Sequence, residues 1–445
     1  MVQNNDRRTF LRLAGAGTLG AGLVALSACT GSRGTGGNGS GGGGSGQTRV
    51  RVAWWGGDVR HAKYNEIYDL YTSEHEGVTI EREYADYGGY FERLPTQFAG
   101  GNAPDVLHVT ERQVADYAQH GQLADLEALA EQGHLDLSHF SAESLDAGRF
   151  DGTLVMLLVG ATIPATMYNR RLFEEAGIDL PTVDWDWDTF YEACEGFRDA
   201  LEDNQAGTTY QAIAGPPFET MLVQNGKSMF APDASAELNF EAADAEEWFR
   251  YWREMLDEGL CQSAESASEN QGAPFEDTMF AQANAAMHVQ NSNQLVTFQT
   301  ALGEDNPLGL APFPQIGAEP AAFVIGSFVC VNEASQVKED GASIIDFFVN
   351  DPRANEIFGL ELGTPGNSNW EETVAGNLSE VDQQVLDFAN EVAPISVYAT
   401  PRPPGSGQSD TIMTEVGLAV AFGDLTPAEA GARLVDDLAA AIGAD

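Results

Sequence analysis

The sequence is poor in basic residues, although it is long enough for two or three domains at roughly 100–200 residues each. Its 445 residues include 22 Lys and Arg against 68 Asp and Glu, which gives a formal net charge of −46. Phosphate groups and anionic lipid surfaces bind concentrated basic side chains, so this balance argues against nucleic-acid binding and against a basic membrane-docking patch. Apolar residues still make up 43% of the chain, which predicts folded domains with sizeable cores.

Lysine is especially scarce. Only Lys63, Lys227 and Lys338 occur among the 22 basic residues. A surface rich in carboxylates and poor in lysine suits solubility at high salt, where charge repulsion is screened. We therefore hypothesise that the protein comes from an extreme halophile, which says nothing about its function.

Cysteine is also rare, and the first of the four cysteines, Cys29, directly follows a predicted export signal. Residues 1–28 contain the pair Arg7 and Arg8 before a short Gly-interrupted apolar stretch, which is typical of a twin-arginine export signal and too weak for a transmembrane helix. The stretch ends in a lipobox-like sequence at Cys29, so we expect Cys29 to carry a lipid. Residues 29–47 are rich in Gly and Ser and predict a flexible tether.

The three later cysteines, Cys194, Cys261 and Cys330, can form at most one disulfide, which excludes a disulfide scaffold. Cys194 shares a helical face with Phe190 and Phe197, so we expect a buried thiol there.

The mature chain begins with an α/β pattern. Alternating apolar residues predict strands from Arg49 to Trp54 and from Val78 to Tyr84, and a third apolar run covers Val106 to Val109. Between these strands, apolar residues recur at helical spacing. This order favours a largely parallel sheet. The middle is more helical, with Trp248 and Trp252 on an apolar stripe that predicts core packing.

Motifs for catalysis are missing. The seven histidines show no metal-ligand spacing, and the sequence has no nucleophile elbow, phosphate loop or dinucleotide fingerprint. With 68 carboxylates, close acidic pairs occur by chance and none can be singled out as an acid/base couple. We therefore expect no enzymatic activity, no cofactor and no metal.

Aromatic residues are the more informative feature. Trp54 and Trp55 end the first predicted strand, where ligands of open α/β sheets gather. Adjacent strand residues face opposite sides, so we expect at most one of them to belong to the core. The other can offer its ring to the apolar face of a sugar.

Six segments resemble the family 1 extracellular solute-binding proteins of ABC importers, in family order. The most specific of them, Trp54–His61, is similar to the start of oligosaccharide-binding members, including some for oligogalacturonides. The others are Leu94–Val106, Tyr168–Gly177 (with arginines where lysine is usual), Phe280–Met287, Asp351 with Pro352, and Leu425–Ala430.

The resemblance implies a two-lobed α/β fold of the periplasmic-binding-protein-like type II, with a hinge between the lobes. We place lobe 1 at residues 48–159 and 293–329, and lobe 2 at residues 160–292 and 330–445. The expected crossings lie near Val159–Thr162, Gln290–Asn293 and Phe328–Asn332.

The resemblance also implies ligand-binding residues at these crossings and at strand ends. Glu111 would accept a pair of sugar hydroxyls, with a solvated charge as the alternative, and Arg402 could equally be structural. The full set of candidates is Trp54, Trp55, Gly56, Asp86, Tyr87, Tyr90, Glu111, Arg112, Phe218, Asn291, Asn293, Ser327, Trp370 and Arg402. Relatives that carry Trp after the second strand differ from this chain, which has Tyr87 there, so the sugar length stays open.

The implied function is a monomeric receptor that captures a sugar or oligosaccharide outside the cell and delivers it to a membrane permease. One alternative is an anionic ligand, such as a uronate oligomer or glycerol phosphate, held by Arg60, Arg112 or Arg402. A more distant alternative is a surface glycoside hydrolase with a carboxylate pair.

Overall fold

A computed structural model describes residues 47–201, 204–271, 273, 275–316 and 320–443. The predicted export signal, the lipid-accepting Cys29 and all but the last residue of the predicted tether lie outside the described residues. Within the described part of the chain, no helix combines the length and apolar character needed to cross a membrane.

The strands and helices alternate along much of the chain. The strands are β1 (Thr48–Trp55), β2 (Val78–Ala85), β3 (Val106–Thr110), β4 (Arg149–Phe150), β5 (Thr153–Leu154), β6 (Leu157–Thr162), β7 (Pro164–Asn169), β8 (Ala206–Thr208), β9 (Ala285–Asn291), β10 (Leu308–Pro312), β11 (Ala322–Val331) and β12 (Ser396–Tyr398). The helices of the first half are α1 (Asp58–Glu74), α2 (Tyr87–Ala99), α3 (Val114–Ala118), α4 (Leu126–Glu131), α5 (Ala142–Asp146), α6 (Arg170–Ala176), α7 (Trp187–Ala200) and α8 (Gly215–Gln224). Those of the second half are α9 (Ala242–Asp257), α10 (Ala264–Asn270), α11 (Leu295–Leu302), α12 (Lys338–Asn350), α13 (Pro352–Phe358), α14 (Ser368–Ala375), α15 (Glu380–Val392), α16 (Ser409–Ala421) and α17 (Pro427–Ile442).

Two sheets organise the two lobes. The first sheet has the strand order β12-β11-β3-β1-β2, with β6 also paired to β11, and the second has the order β10-β7-β9-β8. Strand β1 pairs in parallel with both β2 and β3, as the α/β pattern predicts. The two-lobed α/β fold expected from the sequence is therefore confirmed.

Each lobe has its own core. Side-chain alternation in β1 sends Val50, Val52 and Trp54 to one face of the first sheet and Ala53 and Trp55 to the other, where separate apolar clusters cover both faces. The largest cluster covers the second sheet and contains the predicted Trp248 and Trp252 stripe. Cys194 is fully buried in the same cluster, as expected.

The division of the chain between the lobes differs from the expected one. Strand β10 and helix α11, placed in lobe 1 from the sequence, belong to the second lobe, where β10 pairs with β7. Helices α12 to α14, placed in lobe 2, pack in the core of the first sheet through Ile344, Phe348 and Trp370. An apolar run shows that a segment is buried, but it does not show which sheet buries it.

One of the three predicted crossings agrees with the structure and the other two do not. The chain passes from the first sheet to the second at Ile163, directly after the predicted segment Val159–Thr162. It returns between β10 and β11, not at Gln290–Asn293. The predicted crossing Phe328–Asn332 is wrong as well, since Phe328–Val331 lies inside β11 and pairs with β3.

Candidate functional site

A cavity of about 490 Å³ lies between the two sheets and is called the cleft cavity here. The first lobe contributes the ends of β1 and β3, because parallel strands place their carboxyl ends at one edge of a sheet, and the middle of the antiparallel β11. The second lobe contributes the end of β9 and the first turns of α8 and α16. Eight predicted residues line it: Trp55, Gly56, Tyr87, Glu111, Arg112, Asn291, Asn293 and Ser327.

Aromatic rings form one side of the cleft cavity. Trp55 packs edge-on against Tyr87, with ring centroids 5.8 Å apart, and in a tilted arrangement against Phe91, with centroids 5.2 Å apart. Tyr87 is 44% exposed, while only 7% of Trp55 is accessible. The packing fixes the Trp55 ring in place, so it can present a rigid apolar edge to a ligand.

Gly56 leaves room for the Arg60 side chain beside Trp55. A Cβ at Gly56 would lie 2.6 Å from Cδ of Arg60, so a side chain there would displace the arginine. Arg60 lines the cleft cavity, and its Nε lies 3.3 Å from the Glu361 carboxylate.

Glu111 is the central polar group of the site. It follows β3, is completely buried, and neither of its carboxylate oxygens has a hydrogen-bond partner among the described residues. Its charge is nevertheless balanced, because Oε1 lies 3.6 Å from Nε of Arg112 and 3.8 Å from Nη2 of Arg402. The carboxylate therefore stays available to accept hydrogen bonds from a ligand.

The two arginines beside Glu111 are held by other carboxylates. Arg112 donates to Asp410 at the start of α16, and Nη2 of Arg402 donates to both carboxylate oxygens of Glu219 in α8, at 2.7 and 2.9 Å. These five residues are called the charge cluster below. They connect the end of β3 in the first lobe to helices of the second lobe.

Burial and neighbouring charges shift pKa values in opposite directions within the charge cluster. Desolvation alone would lower the pKa of Arg112, but Asp410 and Glu111 raise it above its ordinary value, so Arg112 stays charged. Desolvation raises the pKa of the Glu219 carboxyl, and the charge of Arg402 opposes this shift.

Two asparagines extend the polar lining from the second lobe. Asn291 ends β9 and Asn293 lies in the turn that follows, and both line the cleft cavity, as predicted. The Asn293 amide donates to the carbonyl of Glu361 at 3.4 Å, while its Oδ1 is buried without a partner among the described residues. Ser327 reaches the cavity from β11.

Three predicted aromatic residues belong to the core instead of the site. Trp54 is fully buried against Tyr64 and Tyr68 on the far face of β1. Phe218 is fully buried in the second lobe, on the inward face of α8. Trp370 lies in α14 and not in a loop. Asn367 is the N-cap of this helix, and its side chain accepts hydrogen bonds from the backbone N–H groups of Asn369 and Trp370.

Three predicted polar or hydroxyl-bearing residues also lie away from the cleft cavity. Tyr90 is buried behind Trp55, where its hydroxyl donates to the carbonyl of His108 at 2.8 Å. Asp86 is exposed and caps α2 by accepting from the N–H of Gly89. Arg402 is 3% exposed and forms an ion pair with the buried Glu111.

Several lining residues were missed in the sequence. Thr110 directly precedes Glu111 and follows from the same strand-end rule, so it could have been found. Pro216, Leu362 and Asp410 come from distant segments that only the fold brings together. No sequence signal marks them as neighbours of Glu111.

The chain belongs to the bacterial extracellular solute-binding proteins, whose family pattern matches residues 66–375. This confirms the resemblance seen in the sequence. A binding protein of Brucella abortus is 24% identical over 308 residues, which cover 65% of this chain and 69% of that protein.

Solved structures share the fold. An ABC substrate-binding protein of Listeria monocytogenes in complex with cycloalternan is 21% identical, covers 90% of this chain and 100% of its own, and has a TM-score of 0.76. A periplasmic oligogalacturonide-binding protein of Yersinia enterocolitica, in complex with saturated digalacturonic acid, is 19% identical, with coverages of 89% and 99% and a TM-score of 0.77.

Proposed function

We propose that this solute-binding protein captures a sugar or oligosaccharide in the cleft cavity and delivers it to the permease of an ABC importer. The observation that carries the proposal is that one cavity is lined by the Trp55 ring and by Glu111 and Asn293, whose acceptor oxygens have no hydrogen-bond partner among the described residues. Sugars combine an apolar ring face with hydroxyl donors, which match this lining. The oligosaccharides bound by the Listeria and Yersinia proteins support the same class.

The charges of the site favour a neutral sugar over an acidic one. Arg60, Arg112 and Arg402, which could have held an anionic ligand, each have a carboxylate partner: Glu361, Asp410 and Glu219 respectively. An anionic ligand would have to displace one of these carboxylates and approach the buried Glu111. The acidic sugar bound by the Yersinia protein keeps a uronate oligomer as the second candidate.

We propose that the protein performs no reaction on its ligand. Glu111 and Asp410 both line the cleft cavity, and both form ion pairs with Arg112, so each carboxylate already has an arginine partner in the site. Ligand binding would instead stabilise the closed arrangement of the two lobes.

The proposed location follows from the first residues of the chain. We propose that a twin-arginine signal exports the protein and that a lipid on Cys29 holds it, as a monomer, near the outer face of the membrane. Mass spectrometry of the native N-terminal peptide would find a lipid on Cys29, and an unmodified Cys29 would refute the anchor.

Thermal unfolding in molar salt tests the ligand class. The panel contains neutral mono- and oligosaccharides, uronate oligomers and glycerol phosphate, and a ligand raises the melting temperature by mass action. We expect a rise with neutral saccharides. A rise with acids alone would replace the neutral ligand by the anionic one, and no rise with any saccharide would refute the proposal.

A further inference from the structure

A second cavity, of about 370 Å³, opens beside the cleft cavity and is called the side cavity here. It lies on the second lobe at the carboxyl ends of the parallel strands β8 and β9. Pro216, Asn291 and Asp410 line both cavities, so the two spaces adjoin. Each is near the lower end of the roughly 300–1,000 Å³ range of ligand pockets, and together they suit a longer molecule.

Asp410 marks the junction. Its Oδ2 accepts from Arg112, while its Oδ1 is buried without a hydrogen-bond partner among the described residues. The lack of a side chain at Gly215 in α8 leaves room for this carboxylate, since a Cβ there would lie 2.7 Å from Oδ1. An unused acceptor at the border of two cavities suits a ligand hydroxyl that lies between them.

A hydrogen-bonded set of neutral side chains lines the side cavity. Gln211 donates through Nε2 to Oγ1 of Thr209 at 2.6 Å, and this hydroxyl lies 2.8 Å from Nδ1 of His288. Gln211 and Thr209 are 3% and 5% exposed, which fixes their positions. The Thr209 hydroxyl can then donate to Nδ1, which leaves the Nε2–H of His288 and the Gln211 carbonyl oxygen for other partners.

The side cavity carries almost no charge. Among its described lining residues, Asp410 at the junction is the one Asp, Glu, Lys or Arg. Burial lowers the pKa of His288 to about 4, so its imidazole is neutral at pH 7. Phe280 and Phe298 add aromatic walls, and Gln290 adds an amide. Neutral amides and a hydroxyl beside aromatic rings match an uncharged sugar ring.

We propose that the ligand is a neutral oligosaccharide of at least two rings, with one ring beside Trp55 in the cleft cavity and the next in the side cavity beside Gln211 and His288. This inference rests on the proposed function. It specifies the minimum length of the oligosaccharide, the neutrality of its second ring and the residues that bind this ring.

Calorimetric titration in molar KCl tests the proposal with glucose, galactose and mannose and their linear di- and trisaccharides. For the series that binds, we expect the disaccharide to bind at least about tenfold more tightly than the monosaccharide, because it adds hydrogen bonds in the side cavity. Gln211→Ala should reduce this ratio to near one. Gln290→Ala should reduce it as well and serves if the Gln211 variant does not fold.

The matched control is Asn293→Ala in the cleft cavity, which should weaken monosaccharide and oligosaccharide binding by the same factor. If single sugars bind but longer chains bind no more tightly, or if both side-cavity variants keep the wild-type ratio, the two-ring proposal is overturned while the proposed function stands. If no saccharide binds, both fall. Tighter binding of digalacturonate than of every neutral disaccharide would overturn the uncharged second ring.

Discussion

Trp54 and Trp55 are neighbours in the sequence and have different surroundings in the structure. Strand alternation sends Trp54 into the core of the first lobe and Trp55 to the edge of the cleft cavity. The sequence predicted that at most one of them belongs to the core, and this is wrong, because both are buried in apolar clusters on opposite faces of the sheet. Helices cover both faces, and of the two only Trp55 also lines the cleft cavity.

Substitution should separate the two roles. Trp54→Ala leaves a cavity in the core and should lower the free energy of unfolding by about 3–5 kcal/mol, with little change in the Kd for sugar. Trp55→Ala should raise the Kd for sugar at least about tenfold, because the ligand loses its aromatic contact. Urea unfolding and calorimetric titration of both variants check this. A Trp54 variant with weaker sugar binding and a Trp55 variant without it would reverse the assignment.

His108 should make the protein sensitive to mild acid. It is buried in β3, and desolvation lowers its pKa to about 3, against about 6.5 in the unfolded chain. Below pH 6.5, His108 therefore binds a proton in the unfolded state but not in the folded state. Stability is lost as the pH falls from about 6.5 towards 3.

The expected size of this loss is about 2 kcal/mol between pH 6.5 and 5, at about 1.4 kcal/mol per pH unit. His108→Leu should remove that share of the pH dependence of the free energy of unfolding, whereas His120→Gln at an exposed position should keep it. Parallel pH profiles of wild type and His108→Leu would contradict the assignment.

Arg402 shows how the surrounding element decides between two sequence-based interpretations. The sequence allowed a ligand contact or a structural role, and the structure favours the structural role, because Nη2 of Arg402 donates to Glu219 of α8. Phe218 and Trp370 were misplaced because their positions depend on which face of a helix meets the core. A local signal suffices where a feature depends on neighbours in sequence alone, as in the capping box of Thr426 and Glu429 that opens α17.

Arg402→Ala should therefore act on stability before it acts on binding. It leaves the buried Glu219 and Glu111 carboxylates without this partner, and the free energy of unfolding should fall by about 3–5 kcal/mol. The matched control is Arg433→Ala, which removes an exposed pair with Asp437 and should cost at most about 1 kcal/mol. Equal effects of the two substitutions in urea unfolding would contradict a buried supporting role for Arg402.

At the scale of the whole molecule, the fold class and the residues at strand ends could be predicted, and the lobe boundaries and the side cavity could not. Trp55 and Glu111 follow from the family resemblance and the geometry of parallel strand ends, whereas Ser327, in the middle of β11, follows from the resemblance alone. Thr209 and Gln211 are close in the sequence but precede His288 by 79 and 77 residues, and the three show no motif. Only the pairing of β8 with β9 brings them together.

The net charge of −46 should make stability depend on salt. Repulsion among exposed carboxylates is screened as the Debye length falls from about 10 Å at 0.1 M to about 3 Å at 1 M salt. The melting temperature should therefore rise as KCl increases to molar concentration. A melting temperature that does not change with KCl would refute the halophile hypothesis and leave the binding site unaffected.

The most direct test of the central claim is calorimetric titration of the full mature domain with neutral oligosaccharides in molar KCl, for wild type and Trp55→Ala. We expect saturable binding of at least one neutral oligosaccharide with a Kd near the micromolar range, equivalent to about −8 kcal/mol, and a clear loss of affinity in Trp55→Ala. No binding of any neutral oligosaccharide, or equal affinity in the two proteins, would contradict a neutral-sugar site beside Trp55.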